Sequence, residues 1–485
     1  MKKLLIKLIC FTVIILSIQN IYAQSELNCF SILVGKKATV DGSTILAHNE
    51  DDYGKLLVDW YKVPRFTHKS RTKIELKNGG QIDQSNETYS FIWLEMPGFD
   101  FSDSYMNEWG VTITSDGCQS KETEGELING GIGYYLRRIM IERAKSAKEA
   151  IKIAGEIIDS IGYSYSGRSY CISDPNQAWI MSVVKGKHWV AQRVPDDQVA
   201  IIPNYYTIEE IDLMDTVNFL GSPDIVNYAT QKGWYEPESG KEFNFRTAYG
   251  SPASLNSMGN IARKWHALNL LSEVQYDFYA EFPFAFKPQN KLAIQDVMLI
   301  LQNHYEGTQL EMRTDYNAGN PHENVITRIC SASNQYGFVA QLRNWLPTDI
   351  GSVLWIAPRR PCVQPFIPWY CGINSIPDKY SRGDYTEALE QHFAPIENIY
   401  EKSKSHAFWV FVNHAEEIDK NYGDLIDDIR RKKTAFEKEI FEKQAVFEGK
   451  VLAVYKKNPK KAKKMLTNYT SKLAIKALSL SKGVQ

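Results

Sequence analysis

The chain has 485 residues, 44% of them hydrophobic and 23% charged, and a formal net charge of -1. That is the composition of an ordinary folded, water-soluble protein, and a core of this size needs neither disulfides nor metal to hold it. The near-zero charge excludes the global basic bias of a nucleic-acid binder, and no stretch beyond the N-terminus approaches the ~20 apolar residues of a membrane span.

The first residues read as an export signal. Lys2 and Lys3 form a positive n-region, Leu8 to Leu16 an apolar h-region, and Ile21-Tyr22-Ala23 places a small residue before Gln24. An uncleaved anchor is the competing reading. The expected organisation is a signal peptide over 1–23, a short propeptide over 24–28, and a single catalytic domain over 29–485 with insertions and a helical C-terminal region. A periplasmic or extracellular location follows, with no stable membrane insertion after signal removal. Export permits disulfides among Cys29, Cys118, Cys171, Cys330, Cys362 and Cys371. Cys362 and Cys371, close in sequence, are the favoured pair, with buried free thiols as the alternative.

From Phe30 to Ile202 short β-rich runs recur: Phe30–Val34, Thr44–Ala47, Phe91–Leu94, Val111–Thr114, Ser169–Ile172, Trp179–Val184, Trp189–Arg193 and Val199–Ile202. Asp41-Gly42-Ser43, Asp174-Pro175-Asn176 and Pro195-Asp196-Asp197 are turn signals between them. Runs so closely spaced favour antiparallel hairpins. Between them, Leu136, Ile139, Met140, Ala147, Ala150, Ile151, Ala154 and Ile157 follow a helical period. Ser146 and Glu149 resemble a capping box, which predicts a second helix start there. Residues 204–320 read as loops and short helices. Val325–Cys330, Gly337–Leu342 and Ser352–Ala357 are strand-like again. After Tyr385 the chain turns helical, with a charged helix from Ile418 to Phe447 and six lysines between Lys456 and Lys464 that read as a solvated face.

The chemistry is concentrated at Asn28-Cys29-Phe30-Ser31-Ile32-Leu33-Val34-Gly35, where a cysteine opens a strand just after the signal and spacer. Cleavage of the Asn28–Cys29 bond would give Cys29 a thiol and a free α-amine. The thiolate is the nucleophilic form and a free thiol titrates at about 8.5. An α-amine titrates at about 7.7–8.0, so it can hold the proton taken from sulfur near neutral pH. Nucleophile and base then share one residue, with no separate histidine. Taken alone, a cysteine near a mature N-terminus is more often structural.

Longer stretches change that balance. Cys29 through Ala38, Asp41-Gly42-Ser43-Thr44 and Ala47-His48-Asn49-Glu50-Asp51 resemble the opening of the bacterial cysteine dipeptidases. These are N-terminal-nucleophile hydrolases related to secernins, penicillin V acylases and bile salt hydrolases. Met106-Asn107-Glu108-Trp109-Gly110-Val111, Ser173-Asp174-Pro175 with Ala178-Trp179, and Trp189 through Asp197 continue the match. So do Tyr305-Glu306-Gly307-Thr308, Gly351 through Trp355, and Leu466 through Thr470 with Lys476-Ala477-Leu478, so the resemblance covers nearly all of the chain after Cys29. It implies an α+β fold, a four-layer αββα sandwich of two antiparallel sheets. It also implies amide hydrolysis through a thioester acyl-enzyme, with dipeptides as substrates and no metal or organic cofactor. A homo-oligomer is left open.

The resemblance makes Cys29 the nucleophile and Asp51 the acid that steadies the amine or thiol. His48 stands where the related amidases carry arginine, a change in both charge and hydrogen-bond fork. Asn204 would donate its amide to the oxyanion, and Arg328 matches a later arginine near the nucleophile. The plainer readings are a strand-end turn for Asp51, a Pro-Asn turn for Asn204 and a strand-edge surface residue for Arg328. Other clusters lack supporting patterns. Glu50-Asp51-Asp52 has no spaced calcium loop, and the nine histidines show no HExxH or Cys/His zinc spacing. Gly130 to Gly133 lacks a nucleotide-loop context, and no Gly-x-Ser-x-Gly elbow occurs. The competing functions are an acylase for N-acyl amides of penicillin V or bile-salt type and a non-enzymatic binding protein on the same fold.

Overall fold

The computed structural model describes residues 28–51, 57–99, 102–323 and 326–482. The expected signal peptide, the spacer as far as Leu27, Asp52 and Val325 lie outside the described residues. Two large sheets organise the chain. The first has seven strands in the order Ala285–Phe286, Val199–Ile202, Phe30–Val34, Thr44–Asp51, Asn334–Leu342, Ser352–Pro358 and Ile367–Tyr370. The second has eight: Phe219–Gly221, Trp189–Val194, Ala178–Gly186, Tyr163–Ser173, Thr112–Gly117, Ser104–Asn107, Phe91–Glu95 and Asp59–Val63. Neighbouring strands within both are antiparallel.

The two sheets stack face to face, with helices on both outer faces, which is the expected αββα sandwich. Strands covered on both faces read as apolar runs instead of alternating ones, and all five residues of Phe30–Val34 are buried. Outside the second sheet lie the helices Tyr135–Arg143 and Ala147–Ile161. Ala150, Ile151, Ala154 and Ile158 sink into a core with Tyr170, Ile172, Trp179 and Met181 of the sheet. Ser146 caps the second helix, accepting from the Glu149 amide at 3.2 Å. The Glu149 carboxylate returns to the Lys145 amide, one residue earlier than a full capping box requires. Outside the first sheet lie Ile294–Leu301 and the C-terminal helices Ala407–Lys420, Tyr422–Tyr455 and Pro459–Ser481. Trp355 of that sheet stacks on Phe441 at 4.6 Å. None of the described helices is long and apolar enough to cross a membrane.

The turn signals act through side-chain caps. Asp41 accepts from the Ser43 amide at 2.9 Å beside Gly42 at φ 84°, and Asp174 accepts from the Asn176 amide at 2.7 Å. Four features depart from the sequence reading. The strand expected over Thr44–Ala47 continues to Asp51, so His48 and Glu50 are strand residues. Asp59–Val63 and Ser104–Asn107 are additional strands. Residues 326–330 form no strand; their backbone is held by other partners, with the Asn49 amide donating to the Ile329 carbonyl and the Cys330 amide to the Asn303 carbonyl. Cys362 and Cys371 are not paired, and the six cysteines among the described residues are free thiols. The Cys371 thiol donates to the Asn107 carbonyl at 3.2 Å, whereas Cys362 faces His322 at 3.3 Å.

Candidate active site

Cys29 stands at the mouth of the strand Phe30–Val34, in the middle of the first sheet. That strand pairs on one side with Thr44–Asp51 (Ser31 opposite His48) and on the other with Val199–Ile202 (Ser31 opposite Ile202). Side chains alternate between the faces of a strand. His48 and Glu50 therefore share one face, and Asn49 and Asp51 take the other. The register carried back one pair sets Glu50 across from Cys29.

The Cys29 thiol donates to Glu50 Oε1 at 3.2 Å and lies 3.7 Å from the Asp51 carbonyl oxygen. Glu50 Oε2 is 3.0 Å from His48 Nε2. His48 Nδ1 is 2.8 Å from Ser31 Oγ, and Ser31 Oγ donates to Asp116 Oδ2 of the second sheet at 2.6 Å. The proton positions follow from the donors. Ser31 has spent its hydrogen on Asp116, so it accepts from His48 Nδ1–H. His48 Nε2 is then an acceptor, and the proton between it and Glu50 rides on the carboxyl. Burial holds His48 down to about 4, against the pull of Asp116. His48 is thus neutral, and its ring bonds to Ser31 and Glu50 and not to the Cys29 thiol.

Burial also pushes Asp116 up to about 6, partly offset by His48 and the Ser31 hydroxyl. The Cys29 thiol is driven well up, first by burial and then by the charge that Glu50 and Asp116 carry when ionised. In the uncut chain Cys29 is a protonated thiol without a base. Asp51, on the opposite strand face, is held by the Ser331 and Ser333 hydroxyls and by Asn334 Nδ2 at 2.7 Å. Burial pushes its carboxyl up to about 7 despite those hydroxyls. Its side chain therefore braces the loop at 331–334, and only its backbone meets the thiol.

Arg263, fully buried in the helix Met258–Leu271, joins the remaining parts. Its Nη1 donates to the Cys29 carbonyl at 2.7 Å and to the Asn28 carbonyl. Its Nη2 donates to Asn204 Oδ1 at 3.0 Å and Asn260 Oδ1 at 2.6 Å. Arg263 thereby fixes the orientation of the Asn204 amide: the oxygen is occupied, and Nδ2 is a buried donor with no partner among the described residues. A buried unpaired donor is what an incoming oxyanion needs, and Arg263 ties this one to the Cys29 backbone. Arg328 is placed elsewhere, with its guanidinium on the Glu323 carbonyl at 3.3 Å. The arginine that bonds to the Cys29 backbone is Arg263.

Of the residues singled out in the sequence, Cys29, His48 and Asn204 meet in one connected set. Asp51 joins it by its backbone, and Arg328 does not join it. Glu50, Asp116 and Arg263 were missed. Glu50 was legible from the register of a Cys29/Glu50 hairpin. Asp116 arrives from the other sheet, and Arg263 offers only an Asn260–Arg263 spacing of three on a helix.

The family model for peptidase family C69 matches residues 28–434. A probable dipeptidase of Latilactobacillus sakei is 28% identical, over 73% of this chain and 76% of the relative. A probable dipeptidase of Salmonella dublin is 26% identical over 78% and 87%, and dipeptidase A of Lactobacillus helveticus 24% over 74% and 78%. Among solved structures, penicillin V acylase from Agrobacterium tumefaciens aligns at 11% identity with a TM-score of 0.36, over 68% of this chain and 82% of the other. With the match running from Asn28 through most of the described chain, the protein belongs to peptidase family C69.

Proposed function

We propose that this protein is an exported cysteine-type dipeptidase, with Cys29 acting as N-terminal nucleophile once the Asn28–Cys29 bond is cut. The observation that carries the reading is the pairing made by Arg263, which holds the Cys29 carbonyl and the Asn204 side-chain oxygen with one guanidinium. Nucleophile and oxyanion donor are thereby fixed relative to each other before substrate arrives, which lowers the cost of orienting them in the reaction.

The free α-amine of Cys29 takes the thiol proton, and the thiolate attacks the peptide carbonyl. Negative charge develops on the carbonyl oxygen, where Asn204 Nδ2 donates. The ammonium returns its proton to the leaving amine as the C–N bond breaks, leaving a thioester on Cys29. Water, deprotonated by the same amine, attacks the thioester and releases the acid and the thiol. Asp116 and Asp51, two of the carboxyl groups that raise the thiol, favour the ammonium formed beside it for the same electrostatic reason when ionised, and Glu50 does so when its proton passes to His48 Nε2. Arg263 on the Asn28 carbonyl supports cleavage by the chain itself, because it polarises the carbonyl next to the thiol. The family membership and the dipeptidase relatives support dipeptides as substrates, and the apolar N-terminal segment supports export.

A panel of dipeptides and N-acyl amides, run on the processed enzyme before and after thiol alkylation, tests this. Dipeptide hydrolysis lost on alkylation is the expected result. Turnover of N-acyl amides alone would transfer the chemistry to acylase substrates, and turnover of neither would leave a binding protein.

A further inference from the structure

Far from the nucleophile in the sequence, four side chains that the mechanism does not use converge in the interior: His304, His322, Cys330 and Cys362. Each is less than 5% exposed, and their donor atoms all lie within 4.8 Å of one another. We propose that they bind one zinc ion in a structural site.

The orientation of the imidazoles is the first reason. His304 Nδ1 lies 2.8 Å from Glu306 Oε1, and His322 Nδ1 lies 2.9 Å from Asp419 Oδ1. Carboxylates accept, so each Nδ1 carries its hydrogen and each Nε2 is turned inward, where the neutral ring offers its lone pair to a metal. Those two Nε2 atoms face each other at 3.2 Å, and Cys362 Sγ lies 3.3 Å from His322 Nε2. A proton can bridge one such pair, but a cation can take all four inward-facing donors at once. Carboxylate-held histidines presenting Nε2 inward are a recurrent support of zinc sites.

The spacing is the second reason. With Zn–N at about 2.0–2.1 Å and Zn–S at about 2.3 Å, a tetrahedron has N–N edges of about 3.3 Å and N–S edges of about 3.6 Å. Two cysteines and two histidines form a complete tetrahedral donor set with no position left for water or substrate. Zn²⁺ with two thiolates and two neutral imidazoles has no net charge. It can therefore sit among Val363, Ile418 and Tyr422 at little electrostatic cost. Cys362 and Glu306 also line a cavity of about 700 Å³ that opens between the helices Ile294–Leu301 and Tyr422–Tyr455, which gives the ion a route in.

The ligands come from separate loops, which is why the sequence shows no zinc-finger spacing. The ion would clamp the segments at 304–330 and 362 together, and Asp419 would tie them to the helix Ala407–Lys420. Cys330 directly precedes Ser331, whose hydroxyl holds the Asp51 carboxylate, so the site secures the loop behind the nucleophile without taking part in the reaction.

The test is elemental analysis of the full chain purified from zinc-supplied cells, beside Cys362→Ser and Cys371→Ser. Wild type and C371S should carry about one zinc per chain, and C362S less than about a fifth of that. Replacing zinc with cobalt should give wild-type protein a thiolate-to-cobalt charge-transfer absorption, a readout that holds even if C362S fails to fold. Zinc retained in full by folded C362S would overturn the proposal. So would metal-free wild type with alkylatable Cys330 and Cys362, or with those two joined as a disulfide.

Discussion

Two buried clusters in this molecule use the same ingredients, a thiol with imidazole and carboxyl groups, and connect them in opposite order. At Cys29 the carboxyl of Glu50 lies between thiol and imidazole, touching both. At Cys362 the carboxylates of Glu306 and Asp419 lie behind the imidazoles, and nitrogen and sulfur meet with nothing between them. The first order makes a chain along which protons are already placed. The second makes a cage of lone pairs. Composition alone does not separate proton chemistry from ion binding; the side of the histidine on which the carboxylate sits does.

Substitutions can break this contrast. The largest effect is expected for Cys29→Ala, which should reduce dipeptide hydrolysis by at least about 10⁴-fold while leaving zinc content unchanged. Steady-state kinetics and elemental analysis on the same sample check both. Asn204→Ala removes the unpaired donor and should lower kcat by about 10²–10³-fold with a much smaller change in KM. If KM rises instead, Asn204 binds ground-state substrate and the oxyanion role fails.

Glu50→Gln is the sharper probe of proton placement. A glutamine can accept from the thiol and donate to His48 Nε2, as the protonated acid does, so the fold should persist. It cannot ionise beside the ammonium, and kcat/KM should fall by about 10²-fold. Thermal unfolding and a pH–rate profile separate these outcomes; a large loss of stability would mean that Glu50 is ionised at rest. Cys330→Ser should act the other way, lowering the unfolding temperature by several degrees and activity only a few-fold. The smallest effect concerns His48. Its folded pKa of about 4 lies below the ordinary 6.5, so the unfolded chain binds more protons between those values. That part of the stability is present above about 6.5 and lost as the pH falls through 4. His48→Gln should flatten this part of the dependence in melts between pH 4 and 7.

Much of this architecture was legible in the sequence. Phe30–Val34 and Val199–Ile202 were delimited to the residue because continuous apolar runs end at turn signals there. Polar strand ends were not. His48, Asn49, Glu50 and Asp51 fall outside the expected strand because buried polar strand residues carry no periodic signature, and their burial depends on Ser31, Asp116, Ser331 and Asn334 arriving from elsewhere. The same reason hid Arg263 and the four convergent ligands, whose contacts span from 18 to more than 200 residues. Gly337 shows how local such a need can be. A Cβ there would lie 2.5 Å from Asn49 Oδ1, displacing the amide that ties the Leu301 and Ile329 carbonyls.

The central claim is that Cys29 works with its own amine, and the N-terminus of the purified protein tests it most directly. Intact mass and N-terminal sequencing of wild type should give a chain beginning at Cys29, and Cys29→Ala should retain the residues before it if the chain cuts itself. A fully active wild-type protein that begins at Gln24, or that keeps its signal, would contradict the account, because Cys29 would then have no free amine to act as its base.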